Sequence, residues 1–118
     1  MKKYVLIILS TMAFCSCTKE NVTSNNAPSS VSGFSIEYGS SNIYNWSDAT
    51  DADGDAVTYD VYLLMDVSSK PFKIAQNLTV SEYTSGVSFL GTLRAMIVVA
   101  KDGKGGETTS IEYPTIII

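Results

Sequence analysis

Histidine is absent from the 118 residues, and cysteine occurs only as Cys15 and Cys17. Without histidine the chain lacks the usual general base, the usual triad partner and the commonest metal ligand. Two cysteines confined to the first seventeen positions cannot staple a domain farther along. Positive charge is scarce as well: 8 Lys and Arg stand against 12 Asp and Glu, a net charge of −4. Phosphate contacts need clustered cations, so nucleic acid is not an expected partner. An anionic membrane surface would repel such a chain unless a lipid or a cation held it there. No stretch keeps a helical period. The remaining Tyr, Lys and Ser form no nucleophile arrangement. Carboxylate pairs would need a sugar-holding cleft that so short a chain with short loops is not expected to supply. The chain does not read as an enzyme.

What is present suits one globular domain: 45% hydrophobic, 10% aromatic and 17% charged residues. Ahead of it, Lys2 and Lys3 precede an apolar run from Tyr4 to Phe14. That run falls short of the roughly 20 residues a membrane helix needs and reads as a secretory signal. The segment Phe14-Cys15-Ser16-Cys17 then resembles the lipobox of bacterial lipoproteins, in which a small residue precedes an acylated cysteine. The resemblance implies residues 1–16 as signal peptide, lipidation at Cys17, and a place on the outer membrane, facing periplasm or cell surface. Membrane attachment through the lipid is the partner it predicts, since a diacylglyceryl group plus an N-acyl chain exceeds the single chain that anchors only marginally. Cys17-Thr18-Lys19-Glu20 also resembles the Lys-plus-acidic signal that sends some lipoproteins to the surface, here with one acidic residue. Cleavage would remove Lys2 and Lys3, leaving 6 basic and 12 acidic residues and a net charge of −6. Residues 17–30 follow as acylated cysteine and polar tether: Thr18 to Ser30 is rich in Ser, Thr and Asn and has no apolar period.

From Val31 onward short alternating runs are separated by turn signals, the pattern of an all-β domain over 31–118. Phe34, Ile36 and Tyr38 alternate with polar residues. Ile43 to Trp46 is a second strand, and Val57 to Met65 a third with Tyr59, Val61 and Leu63 on one face. Phe72 to Ala75 follows a turn at Ser68 to Pro71, and Asn77 to Tyr83 leads into a fifth strand. Leu93 to Ala100 is the longest apolar run, as a central strand requires. Thr108 to Ile117 closes the chain, with Pro114 marking an edge. The stretch from Trp46 to Tyr62, with Trp46, Tyr59 and Val61 at core positions, resembles the second and third strands of bacterial fibronectin type III domains. Val98 to Gly103 resembles the sixth strand and its following loop. The resemblance implies a seven-stranded antiparallel immunoglobulin-like sandwich. It departs at Arg94, where the family usually places a tyrosine. Either Arg94 points outward with Ala95, Ile97 and Val99 inward, or the family register holds and Arg94 caps the corner. Met96 to Ala100 is apolar on both faces, and a one-residue slip exchanges them.

Two features bear on function. Asp48, Asp51, Asp53 and Asp55 share one loop. In a sandwich of the implied topology the loop after the sixth strand lies at the same pole, near Asp102. Asp51, Asp53, Asp55 and Asp102 could then gather the oxygens that Ca²⁺ takes, although the spacing is not that of an EF-hand. The competing reading is an Asx-turn whose carboxylates bond their own backbone. The second feature is the outer sheet face: with Tyr59, Val61 and Leu63 inward, Tyr62 and Leu64 point out, and the family register adds Ile97 and Val99. An exposed apolar stripe of this kind marks a partner surface, whereas the other register scatters the same residues. The first strand starts at the Asp pole, so the tether leaves there and the opposite pole and sheet faces are presented outward. The expected role is a non-enzymatic, membrane-anchored binding or adhesion module of the cell envelope, contacting protein or glycan. The alternative is a structural accessory subunit of a larger outer-membrane assembly.

Overall fold

In the computed structural model, residues 24–86 and 91–113 are described. Seven strands lie among them: β1 (Ser35–Glu37), β2 (Asn42–Asn45), β3 (Thr58–Met65), β4 (Phe72–Leu78), β5 (Glu82–Ser85), β6 (Leu93–Lys101) and β7 (Glu107–Glu112). They form two antiparallel sheets, one of order β1-β2-β5 and one of order β4-β3-β6-β7. No helix among the described residues is long and apolar enough to cross a membrane. The lipidation site Cys17, the signal segment and Pro114 lie outside the described residues.

The core is the space between the sheets. Val61, Leu63 and Met65 of β3 and Met96, Val98 and Ala100 of β6 meet Tyr44 of β2 and Trp46 just beyond it. The alternation of β3 therefore reads as expected, with Tyr59, Val61 and Leu63 buried. Trp46 meets Tyr59 edge to face at 5.5 Å. The Tyr59 hydroxyl in turn accepts the Ala49 backbone N–H at 2.9 Å, which pins the start of the Asp loop to the core.

The register of β6 follows from what lies opposite it. Tyr62 faces Ile97, Asp60 faces Val99, and Met96, Val98 and Ala100 are buried. Ile97 and Val99 thus belong to the outer face. Arg94 points outward and Ala95 is buried, as in the first alternative, but Ile97 and Val99 do not follow Ala95 inward: Leu64 pairs with Ala95 and Met65 with Leu93, so Arg94 is the extra residue of a β-bulge.

The packed part of the chain begins earlier than composition suggests. Residues 25–30, which read as tether, lie on the sandwich. Ser29 and Thr50 exchange hydrogen bonds, Thr108 donates to the Pro28 carbonyl at 2.6 Å, and Pro28 is buried. Val31 follows with its N–H on the buried Ser110 hydroxyl. A polar segment with no apolar period can still dock when each of its groups finds a partner, and a periodicity argument does not detect this.

Candidate functional site

Asp51, Asp53 and Asp55 do converge. One ligand oxygen from each lies within 4.8 Å of the other two. Local turn chemistry builds the loop: the Gly54 N–H returns to the Asp51 carbonyl, and Gly54 takes φ of 75°, a left-handed conformation that glycine adopts without strain. Asp51 Oδ1 accepts the N–H groups of Asp53 and Asp55, as an Asx-turn does. Its other oxygen, Oδ2, is buried with no hydrogen-bond partner among the described residues.

Both oxygens of Asp53 and one of Asp55 are taken by groups that sequence spacing does not reveal. Asn26 donates to Asp53 from both its backbone N–H and its side-chain amide, at 2.7 and 3.1 Å. The Lys104 ammonium sits on Asp55 Oδ1 at 2.6 Å. That hydrogen bond and charge hold Lys104 above the ordinary lysine range, with Asp102 and Asp51 adding smaller pulls against the cost of burial. A cation therefore already stands at the cluster, and it is the chain's own.

Asp102 reaches the same pole but not the same set of carboxylates. Its Oδ2 accepts the Asn25 side-chain amide at 2.7 Å, and its Oδ1 accepts the N–H groups of Lys104 and Gly106. These donors, Asn25 foremost, hold the carboxyl below the usual range although burial pushes it up. The expected four-carboxylate Ca²⁺ site is thus three converging carboxylates, with Asp102 turned into its own loop. The physical reason is valence: a carboxylate already accepting three N–H bonds has little capacity left for an ion. Calcium at millimolar concentration is accordingly expected to leave the melting temperature of the wild-type chain within error, because Lys104 competes for the same oxygens. The Lys104→Met variant, free of that ammonium, should gain stability from calcium. A wild-type rise that the Asp53→Ala/Asp55→Ala variant loses would instead mean that the ion displaces Lys104.

The outer face of the larger sheet carries the second candidate. Tyr62, Ile97 and Val99 line a shallow, almost wholly apolar groove together with Pro71. Leu64 does not line it; it lies farther along β3, opposite Ala95. The row continues onto β7, where Ile111 pairs with Ile97 and is 47% exposed. Lys73 overhangs the Tyr62 ring, its ammonium 5.6 Å from the centroid.

Beside this groove stands a polar group that alternation alone treats as solvated. Asp60 is on the outer face yet only 6% exposed. Its Oδ2 accepts Lys101 Nζ at 2.9 Å, with Lys73 at 4.0 Å, and its Oδ1 accepts the Asn77 N–H. Burial pushes this carboxyl up, but the Asn77 N–H and the two lysines outweigh it and leave it below the ordinary carboxylate range. The sequence signal was available only through register: once Tyr59 faces Ala100, Lys101 falls beside Asp60 on the next row.

A third feature is a cleft of about 300 Å³ lined by Tyr38, Asn42, Tyr44, Leu63, Met65 and residues 91–93. Burial raises the Tyr44 phenol above its ordinary range, so this hydroxyl stays a neutral donor at physiological pH.

No protein-family model matches the chain, and no curated protein matches it.

Proposed function

We propose that this chain is a non-enzymatic, lipid-anchored binding module of the bacterial cell envelope, presenting a fibronectin type III-like sandwich for contact with protein or glycan. The strand order supports the fold: first, second and fifth strands in one sheet and third, sixth and seventh in the other, as in immunoglobulin-like sandwiches. The fourth strand edges the second sheet. The lipobox-like Phe14 to Cys17 segment supports the anchor. The docking of Asn25 and Asn26 on the Asp pole supports a chain that arrives at that pole, leaving the sheet faces free.

The observation that carries the reading is the in-register apolar row Tyr62, Ile97 and Ile111, with Val99 and Pro71 beside it. An apolar strip on the outer face of a small acidic domain is what a partner surface needs. The same strip also suits a structural accessory subunit that docks permanently on a larger assembly, and the two differ in what they hold.

The test uses the full chain and a Tyr62→Ser/Ile97→Ser variant, first on a glycan array and then cross-linked in native envelopes through a photoreactive residue at position 111. Sugar binding, or several transient protein adducts, lost in the variant at unchanged melting temperature, is the expected result. One stoichiometric adduct without sugar binding identifies an accessory subunit. A variant that keeps every contact shows that this face is not the partner surface.

A further inference from the structure

Three adjacent strands bring Asp60, Asn77 and Lys101 together on the outer face of the larger sheet. The Lys101 ammonium touches both neighbours at once: 2.9 Å to Asp60 Oδ2 and 2.9 Å to the Asn77 side-chain carbonyl. Asp60 also grips the backbone of the same asparagine, accepting its N–H at 2.9 Å. One carboxylate thus fixes an amine and an amide against each other.

The backbone is shaped to this end. The pairing of β3 with β4 shifts register twice between Tyr59 and Tyr62. Asn77 sits in this irregular stretch with φ of 57°, the only positive φ of a non-glycine among the described residues. Asparagine tolerates that conformation better than most residues, yet it is still a position that the surroundings must enforce. The irregular stretch turns the Asn77 amide onto Lys101, on the far side of β3.

An ion pair alone does not account for the second cation. Lys73 lies 4.0 Å from the same Asp60 oxygen. Were Lys101 to lose its charge, Asp60 would keep a counter-ion.

We propose that Lys101 and Asn77 join in an intramolecular isopeptide bond, with Asp60 as the base that takes two protons in turn from the Lys101 ammonium and passes them to the leaving nitrogen. Nζ attacks the Asn77 side-chain carbonyl carbon, the Nζ–C bond forms, and the bond from that carbon to Nδ2 breaks. The Lys101 ammonium and the Asn77 carboxamide become a secondary amide and an ammonium ion, so charge and atoms balance and no oxidant is needed. An amine held against a carbonyl has the proximity that makes such a step effectively unimolecular. It occurs once per molecule, so it need only be complete within the lifetime of the protein. The product would tie edge strand β4 to β6 across β3 in a domain that has no cysteine for a disulfide. This stands independently of the lipid anchor and of any partner at the groove.

The test is the mass and the tryptic map of the full chain after days at neutral pH. The expected wild-type protein is lighter by one ammonia. It yields a branched peptide in which 74–94, carrying Asn77, is joined to 95–104, uncleaved at Lys101. Lys101→Arg keeps the cation but cannot form the bond, and Asn77→Gly keeps the backbone conformation but removes the amide. Both should show full mass and separate peptides, with folding checked by the fluorescence of Trp46. A wild-type chain of full mass overturns the proposal, as does an ammonia loss without the branched peptide, which would be a succinimide at Asn77. A branched peptide that still forms at the same rate in Asp60→Asn overturns the role of Asp60.

Discussion

Replacing Trp46 by alanine is expected to cost about 3–5 kcal/mol, the range for deleting a large aromatic from a packed core. Trp46 is 4% exposed and lies at the meeting point of the two sheets. Its ring is packed edge to face with Tyr59, and the Tyr59 hydroxyl holds the first turn of the Asp loop through the Ala49 N–H. Removing the indole therefore opens a cavity and also frees Tyr59 to tilt, loosening a hydrogen bond that the mutation does not touch. Small domains have only about 5–15 kcal/mol of stability to lose. For a domain of this size each kcal/mol shifts the melting temperature by about 4–8 °C, so a fall of at least about 12 °C is expected. Trp46→Phe should cost less, and not only because it keeps more volume. The indole N–H is buried with no hydrogen-bond partner among the described residues, so phenylalanine forfeits no such bond there. Denaturant melts of the two variants beside wild type measure the difference. Equal losses would place the value of Trp46 in its N–H rather than in its packing.

The same residues show how much the sequence discloses. Alternation along Tyr59, Val61 and Leu63 assigns β3 correctly, because that face is buried and Thr58, Asp60 and Tyr62 interrupt the apolar residues in sequence. It fails for β6, where Met96 to Ala100 is apolar throughout; only pairing with β3 fixes which side Ile97 and Val99 take. The bulge at Arg94 is equally hidden, since an extra residue leaves no mark in a hydrophobic pattern. At the Asp pole, the turn residues announce the loop, and the nearness of the loop after β6 follows from topology. What occupies the carboxylates does not follow. Lys104, Asn25 and Asn26 are separated from their acidic partners by tens of residues. Long-range polar pairing is carried by no local period, so Asp60 with Lys101 escapes for the same reason.

The docked segment before β1 provides the second large effect. Gly106 follows β6 by a few residues and is overlain by Asn25 and Ala27. A Cβ at position 106 would lie 2.9 Å from the Ala27 Cα and 3.0 Å from the Asn25 side-chain nitrogen, and would collide with the Asp102 carboxylate. The obstacle is backbone and a fully engaged carboxylate rather than a mobile side-chain tip. Gly106→Ala should therefore cost about 1–3 kcal/mol, as overpacking generally does, by lifting residues 25–27 from the sandwich. Hydrogen exchange at Ser29 and Val31, whose N–H groups go to Thr50 and Ser110, should accelerate with it. Acid should act on the same contact from the other partner. Asp102 has a folded pKa below its ordinary value of 3.8, with the Asn25 amide as first cause. A depressed carboxyl contributes stability that is complete above its unfolded pKa and is lost as the pH falls through the folded one. Stability should thus hold from neutrality to about pH 5 and then decline below the ordinary carboxylate range. In Asn25→Ala the Asp102 share of that decline should shrink, because the principal cause of the depression is gone. A Gly106→Ala chain that melts with wild type, and exchanges Ser29 and Val31 no faster, would show that residues 25–27 rest on the pole without being held there.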